Sequence, residues 1–168
     1  MTDMQTVLAE EDTQKGRYLL FSIDNESYGI GIQYVTEIIG IQKITEVSGL
    51  PDYLKGIINL RGKIIPVMDV RIRFGKKEKE YNDRTCIIVI DIMEMPVGLI
   101  VDGVSEVAVI NESDISELPQ LYQKHKNRFV KNIGKTGNDV KLLLDCEKLL
   151  TYEDINALDK IGDKEVNS

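Results

Sequence analysis

Apolar residues lie along the chain in short runs that alternate with turn-forming residues. The first run, Tyr18–Ile23, is followed by the polar segment Asp24–Ser27, after which Tyr28, Ile30 and Ile32 alternate with glycines. Short apolar segments of period two on either side of a polar turn are typical of a β-hairpin. The pattern therefore predicts a hairpin near the start of the chain.

A second segment repeats this pattern near the middle of the chain. Cys86–Ile92 is apolar, Met93–Pro96 interrupts the run, and Val97–Val101 is apolar again, which predicts a second hairpin. The whole chain has 22 isoleucines and 14 valines but only three alanines. Because β-branched side chains suit a pleated sheet better than a helix, the fold class is predicted to be mainly β.

The two hairpins match each other in sequence. Residues 17–41 align with residues 86–110 without a gap at an offset of 69, and Ile64–Asp69 aligns with Val140–Asp145 at an offset of 76. Duplication of one unit explains this better than chance does. The identical pairs are Ile23/Ile92, Gly29/Gly98, Val35/Val104, Glu37/Glu106 and Ile41/Ile110.

The two repeat units span residues 17–75 and 86–150. Each is marginal on its own, since a chain of about 60 residues buries only about 60% of its unfolded surface. We therefore expect two small β-barrels packed together, which share a core or exchange strands. The charged segment Gly75–Asp83 is expected to be the surface loop that joins them.

Few helices are predicted. Gln33–Ile39 fits either a helical turn or a strand edge, and Pro51–Gly56 fits one helical turn with Pro at its start and Gly at its end. Thr151 and Asp154 have the spacing of a capping box, which predicts a closing C-terminal helix. Apolar residues that would dock this helix recur every three positions, at Tyr152, Ile155, Leu158 and Ile161.

Composition and charge exclude several classes of function. The formal net charge is −7, from 28 acidic and 21 basic residues, so neither nucleic acid nor anionic lipid is expected as a partner. Cys86 and Cys146 lie far apart in apolar strings and do not form a disulfide framework. Residues 1–15 are expected to be a flexible tail without the features of a signal peptide. The longest apolar stretch is too interrupted to cross a membrane, and the expected compartment is the cytoplasm.

No motif for catalysis, metal binding or cofactor binding is complete. His125 lies among lysines and arginines, where we expect a solvated loop, and no cysteine pair has metal-ligand spacing. Gly134-Lys-Thr lacks the opening glycine of a phosphate-binding loop. Asp69 and Asp145 follow a strand at matching positions of both repeats, which favours a capping role over an acid–base pair. We expect no catalytic residue, no metal, no cofactor and no enzymatic activity.

One segment departs from the symmetry of the repeats. Lys55–Gly62 places two glycines, an asparagine and Arg61 within an apolar strand, and the second repeat has no arginine at the equivalent position. Two interpretations are open at this point. Arg61 lies over the surface of a simple β-turn, or its guanidinium pairs with a carboxylate at a recognition surface.

At these residues the chain resembles the CheW family of chemotaxis adaptor proteins, over residues 16–151. The resemblance rests on many blocks in the same order along the chain: Tyr18-Leu-Leu-Phe, Tyr28-Gly-Ile, Val35-Thr-Glu-Ile, Pro51-Asp-Tyr-Leu-Lys-Gly-Ile-Ile-Asn-Leu-Arg-Gly62, Ile65-Pro-Val-Met-Asp-Val-Arg71, Arg73-Phe-Gly75, Val97-Gly-Leu-Ile-Val-Asp-Gly-Val-Ser105 and Leu142-Leu-Leu-Asp145.

The resemblance implies two five-stranded barrels similar to SH3 domains within residues 16–151, followed by a C-terminal helix and tail in residues 152–168. It implies a non-catalytic adaptor that couples methyl-accepting chemoreceptors to the histidine kinase CheA. The partners would be the cytoplasmic tip of the receptor and the regulatory domain of the kinase. The protein would be cytoplasmic and recruited to membrane-associated receptor arrays, without inserting into the membrane. The alternative is a CheW-like scaffold for a non-flagellar chemosensory kinase pathway.

The resemblance also implies which residues bind the partners. An acid and an arginine near the receptor-binding surface match Glu37 and Arg61, and an ion pair between them would hold the guanidinium in place. Gly56 lies in a segment that the resemblance links to kinase binding. The receptor-binding surface is expected to contain Val35, Glu37, Ile38, Arg61 and Gly62.

Overall fold

The structure, a computed structural model, describes residues 15–119 and 128–166. The expected loop of His125 and most of the expected N-terminal tail lie outside these residues. The strands are β1 (Arg17–Ile23), β2 (Glu26–Gly31), β3 (Val35–Gly40), β4 (Leu54–Leu60), β5 (Lys63–Asp69), β6 (Cys86–Ile92), β7 (Met95–Val101), β8 (Gly103–Val109), β9 (Ile115–Glu117), β10 (Val130–Thr136) and β11 (Asp139–Leu144). The described residues also include two α-helices, Val70–Arg73 and Tyr152–Val166, and short 3₁₀ turns at Ile32–Tyr34, Glu112–Asp114 and Cys146–Lys148.

The predicted fold class, mainly β with few helices and a helix at the C-terminus, is confirmed. One sheet has six strands in the order β8-β1-β2-β11-β10-β9, and the other has five in the order β3-β6-β7-β5-β4. The implied count of five strands in each half is therefore wrong for one sheet. Its sixth strand is β9, three residues long, which pairs with β10 through Ile115 and Gly134.

Each repeat supplies strands to both sheets, and it does so reciprocally. Strand β3 of the first repeat pairs with β6 of the second, while β8 of the second pairs with β1 of the first. Strands β5 and β7 pair in parallel, and so do their counterparts β11 and β2. Equivalent strands therefore have equivalent neighbours in the two sheets, which supports the duplication seen in the sequence.

The glycine shared by both repeats lies at these parallel pairs. A Cβ at Gly98 would come within 2.8 Å of Ile87 Cγ2 and 2.9 Å of Val67 Cγ1, and a Cβ at Gly29 would come within 2.8 Å of Leu143 Cδ2. Side chains of the neighbouring strands thus occupy the space that any larger residue would need. The parallel pairing explains why both repeats have glycine here.

The core extends through both sheets. Strand β6 contributes to both core clusters, since Ile88 and Ile90 pack in the larger cluster and Ile87 and Val89 in the smaller one. All four side chains are almost fully buried. A strand covered on both faces reads as a continuous apolar run, as residues 86–90 do, and this strand contributes to both core clusters.

A buried arginine also connects the two sheets. Arg71 is 8% exposed, and its Nη1 donates to Asp24 Oδ1 at 2.5 Å and to Asp102 Oδ2 at 2.7 Å. Asp24 lies in the β1–β2 turn of the six-stranded sheet, whereas Arg71 follows β5 of the five-stranded sheet. The hydrogen bond from Arg71 lowers the pKa of Asp24 below its ordinary value.

The capping predictions are confirmed. Asp69 accepts hydrogen bonds from the N–H groups of Arg71 and Ile72, and Asp145 accepts one from that of Glu147. In the predicted capping box, Thr151 N–H donates to Asp154 Oδ2 at 3.0 Å and Asp154 N–H donates to the Thr151 hydroxyl at 3.1 Å. Both features follow the ordinary preference of short polar side chains for the first turn of a helix.

Two details of the helix predictions are wrong. Pro51–Gly56 is not a helical turn, because only Asp52 and Tyr53 form a turn and β4 begins at Leu54. Tyr152 is 82% exposed and lies outside the docking stripe, whereas Ile155, Leu158 and Ile161 pack against the core. The ambiguous segment Gln33–Ile39 contains both alternatives, a 3₁₀ turn ending at Tyr34 and then strand β3.

Candidate partner-binding surface

The candidate arginine lies at the tip of a two-residue hairpin loop. Leu60 and Lys63 are the last paired residues of β4 and β5, and Arg61 and Gly62 form the loop between them with φ of 53° and 87°. Positive φ at both positions is the geometry of a type I′ turn, whose twist matches that of the flanking strands. For a non-glycine residue this left-handed conformation costs about 1–2 kcal/mol.

The guanidinium of Arg61 is held from across the sheet. Its Nη2 donates to Glu37 Oε2 at 2.5 Å, and the side chains are 70% and 32% exposed. Glu37 lies on β3 and Arg61 at the end of β4, the two opposite edge strands of the five-stranded sheet. The sheet therefore curls until its edges meet at this ion pair. An ion pair this exposed contributes at most about 1 kcal/mol to stability, so its main effect is to orient the guanidinium.

A β-bulge in β3 separates the predicted receptor-binding residues onto two faces. Val35 pairs with Ile90 and Glu37 with Val89, so that Thr36 is the extra residue of the bulge, and its hydroxyl donates to the Val89 carbonyl at 3.0 Å. Val35 packs against the larger core cluster and is partly buried. The Val35 side chain therefore packs mainly against the core and offers little surface to a partner.

Ile38 is the exposed apolar residue of this strand. It pairs with Ile88, and 44% of it is accessible to solvent. Paired residues point to the same side of a sheet, so Ile38 lies on the face opposite to Glu37, whose neighbour is Val89. Of the five predicted residues, the structure therefore brings Glu37, Arg61 and Gly62 together, sets Ile38 on the opposite face of the edge strand, and leaves Val35 partly covered.

Gly56 occupies a position where no side chain fits. Its φ is +148°, and a Cβ there would lie 2.0 Å from the carbonyl oxygen of Thr45. That carbonyl accepts a hydrogen bond from Ile57 N–H at 2.9 Å, and Thr45 N–H donates to the Ile57 carbonyl at 2.8 Å. The segment of residues 44–46, called the strap below, thus lies antiparallel beside β4 at Gly56 and Ile57. The glycine shapes this strap, and its predicted link to the kinase stays a prediction.

A groove adjoins the strap. It has a volume of about 570 Å³ and lies between the strap residues, β4 and the loop that joins the repeats. An ion pair between Lys55 and Glu78 links β4 to this loop. The residues that line the groove are Ile44, Glu46, Lys55, Glu78, Lys79, Glu80 and Tyr81.

This arrangement is suited to binding. An exposed guanidinium can pair with a partner's carboxylate, and Ile38 on β3 and the 39%-exposed Ile64 on β5 offer apolar contact area. Within residues 15–119 and 128–166, no three His, Cys, Asp or Glu side chains are grouped so as to hold a metal ion. None of the helices in that part of the chain is long and apolar enough to span a membrane.

Sequence reasoning did not assign a role to Asn59. Its Oδ1 accepts a hydrogen bond from the N–H of Gly62 at 2.8 Å, which closes the loop that carries Arg61. The available signal was an asparagine three residues before the glycine, a spacing at which Asn side chains bond to turn backbone. The signal is weak without knowledge of where the turn lies.

The family model of the CheW-like domain matches residues 17–154 of this chain. The chain belongs to the CheW-like family. The match includes both sheets, the Glu37–Arg61 ion pair, the Gly56 strap and the start of the C-terminal helix, and it stops at the capping residue Asp154 of that helix.

Relatives of this CheW-like chain are similar over nearly their whole length. The chemotaxis protein CheW of Klebsiella aerogenes is 34% identical over 151 residues, which cover 90% of this chain and 91% of that protein. The chemotaxis protein CheW of Bacillus subtilis is 34% identical over 137 residues, covering 82% and 88%. The crystal structure of the scaffolding protein TtCheW from Thermoanaerobacter tengcongensis aligns with a TM-score of 0.76 at 34% identity, covering 83% of this chain and 94% of that one.

Proposed function

We propose that this CheW-like chain is a non-catalytic adaptor that couples methyl-accepting chemoreceptors to the histidine kinase CheA. Its relatives reported above are named as chemotaxis proteins, and a solved relative is described as a scaffolding protein. In this role the protein is recruited to membrane-associated receptor arrays through its partners, without inserting into the bilayer.

The observation that carries the proposal is the Glu37–Arg61 pair at the edge of the five-stranded sheet. An arginine in a left-handed turn is unfavourable for the fold, and such positions are concentrated at functional sites. Its guanidinium is 70% exposed and already oriented by Glu37, so little side-chain freedom is lost when a partner carboxylate binds. Ile38 and Gly62 complete the receptor-facing surface, and Val35 supports it from below.

The kinase contact is proposed at the strap beside Gly56. The strap, Lys55 and the loop that carries Glu78 form one continuous surface, which adjoins β4 on the side of Gly56. Gly56 contributes by its lack of a side chain, because any larger residue would displace Thr45. The regulatory domain of the kinase is the proposed partner at this surface.

Co-sedimentation with membranes that contain the organism's chemoreceptors tests the receptor contact. Arg61→Ala is expected to fold normally and to sediment with the membranes at least several-fold less than the unaltered chain. Arg84→Ala removes a comparably exposed arginine elsewhere and is expected to sediment like the unaltered chain. Equal sedimentation of Arg61→Ala and Arg84→Ala would contradict the proposed receptor surface. Binding to a kinase without any receptor dependence would point to a different chemosensory pathway.

A further inference from the structure

Arg61 has a left-handed backbone conformation that arginine disfavours. The first loop position of a type I′ turn favours Asn, Asp or Gly, and here it is an arginine with φ of 53°. Lys63 and Leu60 close the strand ladder, so the N–H of Gly62 lies outside it. A hydrogen bond to this N–H would add a restraint on the loop that the ladder does not provide.

Asn59 supplies that restraint. Its Oδ1 accepts the N–H of Gly62 at 2.8 Å, in an exposed bond between residues three apart. The bond fixes the loop from the backbone side, and Glu37 fixes the guanidinium from the other end at 2.5 Å. Arg61 is thus held at both ends of its length.

The second repeat provides an internal comparison without this restraint. Lys135 pairs with Val140 in the β10–β11 hairpin just as Asn59 pairs with Ile64 in the β4–β5 hairpin. The loop of the second hairpin begins with Gly137, whose φ of 61° requires no support. A lysine side chain has no acceptor oxygen and cannot make the bond that Asn59 makes. The asparagine thus occurs in the hairpin whose loop begins with arginine, and lysine replaces it in the hairpin whose loop begins with glycine.

We propose that Asn59 is a positioning residue for partner binding, which holds the Arg61–Gly62 loop in the conformation that presents the guanidinium. The proposal rests on the proposed function, in which Arg61 contacts the chemoreceptor. It assigns Asn59 no direct contact with the partner. By restricting the loop before binding, the side chain lowers the entropy that the complex must lose.

A double-mutant cycle with receptor-containing membranes tests this role. Asn59→Ala is expected to lower the affinity about two- to tenfold, the factor that corresponds to one net hydrogen bond. In the Arg61→Ala background the same substitution is expected to have no further effect, because its influence passes through Arg61. Asn59→Asp keeps an acceptor oxygen and should retain most of the affinity, and Lys135→Ala at the equivalent position should match the unaltered chain.

Hydrogen exchange of the Gly62 amide gives a readout that is independent of the partner. Exchange is expected to be faster in Asn59→Ala and unchanged in Lys135→Ala. Unchanged affinity in Asn59→Ala, or an equal loss in both Arg61 backgrounds, would overturn the positioning role while Arg61→Ala still weakens binding. If Arg61→Ala itself binds normally, the proposed receptor surface is wrong, and the positioning role for binding is wrong with it.

Discussion

Arg61 has two properties that an ordinary hairpin turn does not combine. Its conformation is unfavourable for a side chain of its type, and its charge is exposed and paired with Glu37. Natural hairpins usually avoid the first property by using Asn-Gly at such a loop. Replacing the arginine therefore separates the requirements of folding from those of binding.

Arg61→Asn is expected to leave the stability unchanged or to raise it by up to about 1 kcal/mol. Asparagine tolerates the left-handed region, which offsets the loss of an exposed ion pair worth at most about 1 kcal/mol. Sedimentation with receptor membranes should nevertheless fall. Urea unfolding and the sedimentation assay measure the two effects, and a fall of more than 2 kcal/mol in the free energy of unfolding would show that Arg61 is structural.

Individual residues differ in how far their roles could be predicted from the sequence. Arg61 could be singled out because a duplicated sequence displays where its copies differ, and the copies differ at this loop. Gly56 was interpreted as the end of a helical turn, because Pro and Gly five positions apart have that local signature. Its actual constraint is the carbonyl of Thr45, eleven residues away. No local pattern contains such a contact.

Gly29 and Gly98 occupy equivalent strand positions in the two repeats, but their neighbouring side chains differ. Gly98 faces the β-branched methyl groups of Ile87 and Val67, whose rotamers are stiff, while Gly29 faces the far end of Leu143, which can move. Gly98→Ala should therefore lower the free energy of unfolding by about 1–3 kcal/mol, and Gly29→Ala by less.

Gly40→Ala provides the matched control for these two substitutions. A Cβ at Gly40 would have no heavy atom within 4 Å, and the residue lies in an edge strand. Urea unfolding should place this variant within about 0.5 kcal/mol of the unaltered chain. Equal losses for all three variants would contradict the packing explanation for the shared glycine.

The C-terminal helix is tied to the strands through Tyr53. The phenolic hydroxyl donates to both carboxylate oxygens of the buried Asp154, each at 2.7 Å, and Asp154 also caps the helix. Burial, together with the hydrogen bond to Asp154, raises the pKa of Tyr53 to about 12. Only the neutral phenol can donate this bond.

Tyr53→Phe is expected to lower the free energy of unfolding at pH 7 by about 1–3 kcal/mol, because a carboxylate loses a donor. A folded-state pKa above the ordinary value of about 10 makes this contribution complete below pH 10, and it is lost as the pH rises through about 12. The difference between the two proteins should therefore shrink over that interval. Tyr152→Phe, 82% exposed on the same helix, should change nothing in the same urea titration.

The strands and the helix that could be predicted from the sequence were indicated by the spacing of apolar residues and by capping residues. Both hairpins were visible from apolar runs and turn residues, and the C-terminal helix from its capping box. The reciprocal exchange of β3 and β8 could be offered only as an alternative to a shared core, since strand order depends on pairings between residues at least 46 positions apart. The error at Tyr152 arose because a spacing of three, counted from the first residue of a helix, includes a position beyond the core.

At the scale of the whole molecule, Arg71 links the two sheets through Asp24 and Asp102. Asp24→Asn is close to isosteric and tolerates the φ of 53° at this position, so the substitution removes the charge alone. Because the folded-state pKa of Asp24 is lowered, its contribution is complete above about pH 4, the ordinary value, and is lost as the pH falls through the lower folded-state value.

The unfolding free energies of the unaltered chain and Asp24→Asn should therefore differ by a constant amount from pH 7 to pH 5. The difference should then decrease below about pH 4. Asp91→Asn removes an exposed carboxylate of β6 and serves as the control. A difference for Asp24→Asn that persists undiminished at pH 2 would show that the charge of Asp24 does not act through Arg71.

Coupling of receptor to kinase can be measured as kinase autophosphorylation in a mixture of this chain, receptor-containing membranes and the CheA-type kinase of the same organism. We expect receptor-dependent phosphorylation to require all three components and to be lost with Arg61→Asn, although that variant folds. Receptor control of the kinase without this chain, or full control with Arg61→Asn, would contradict it.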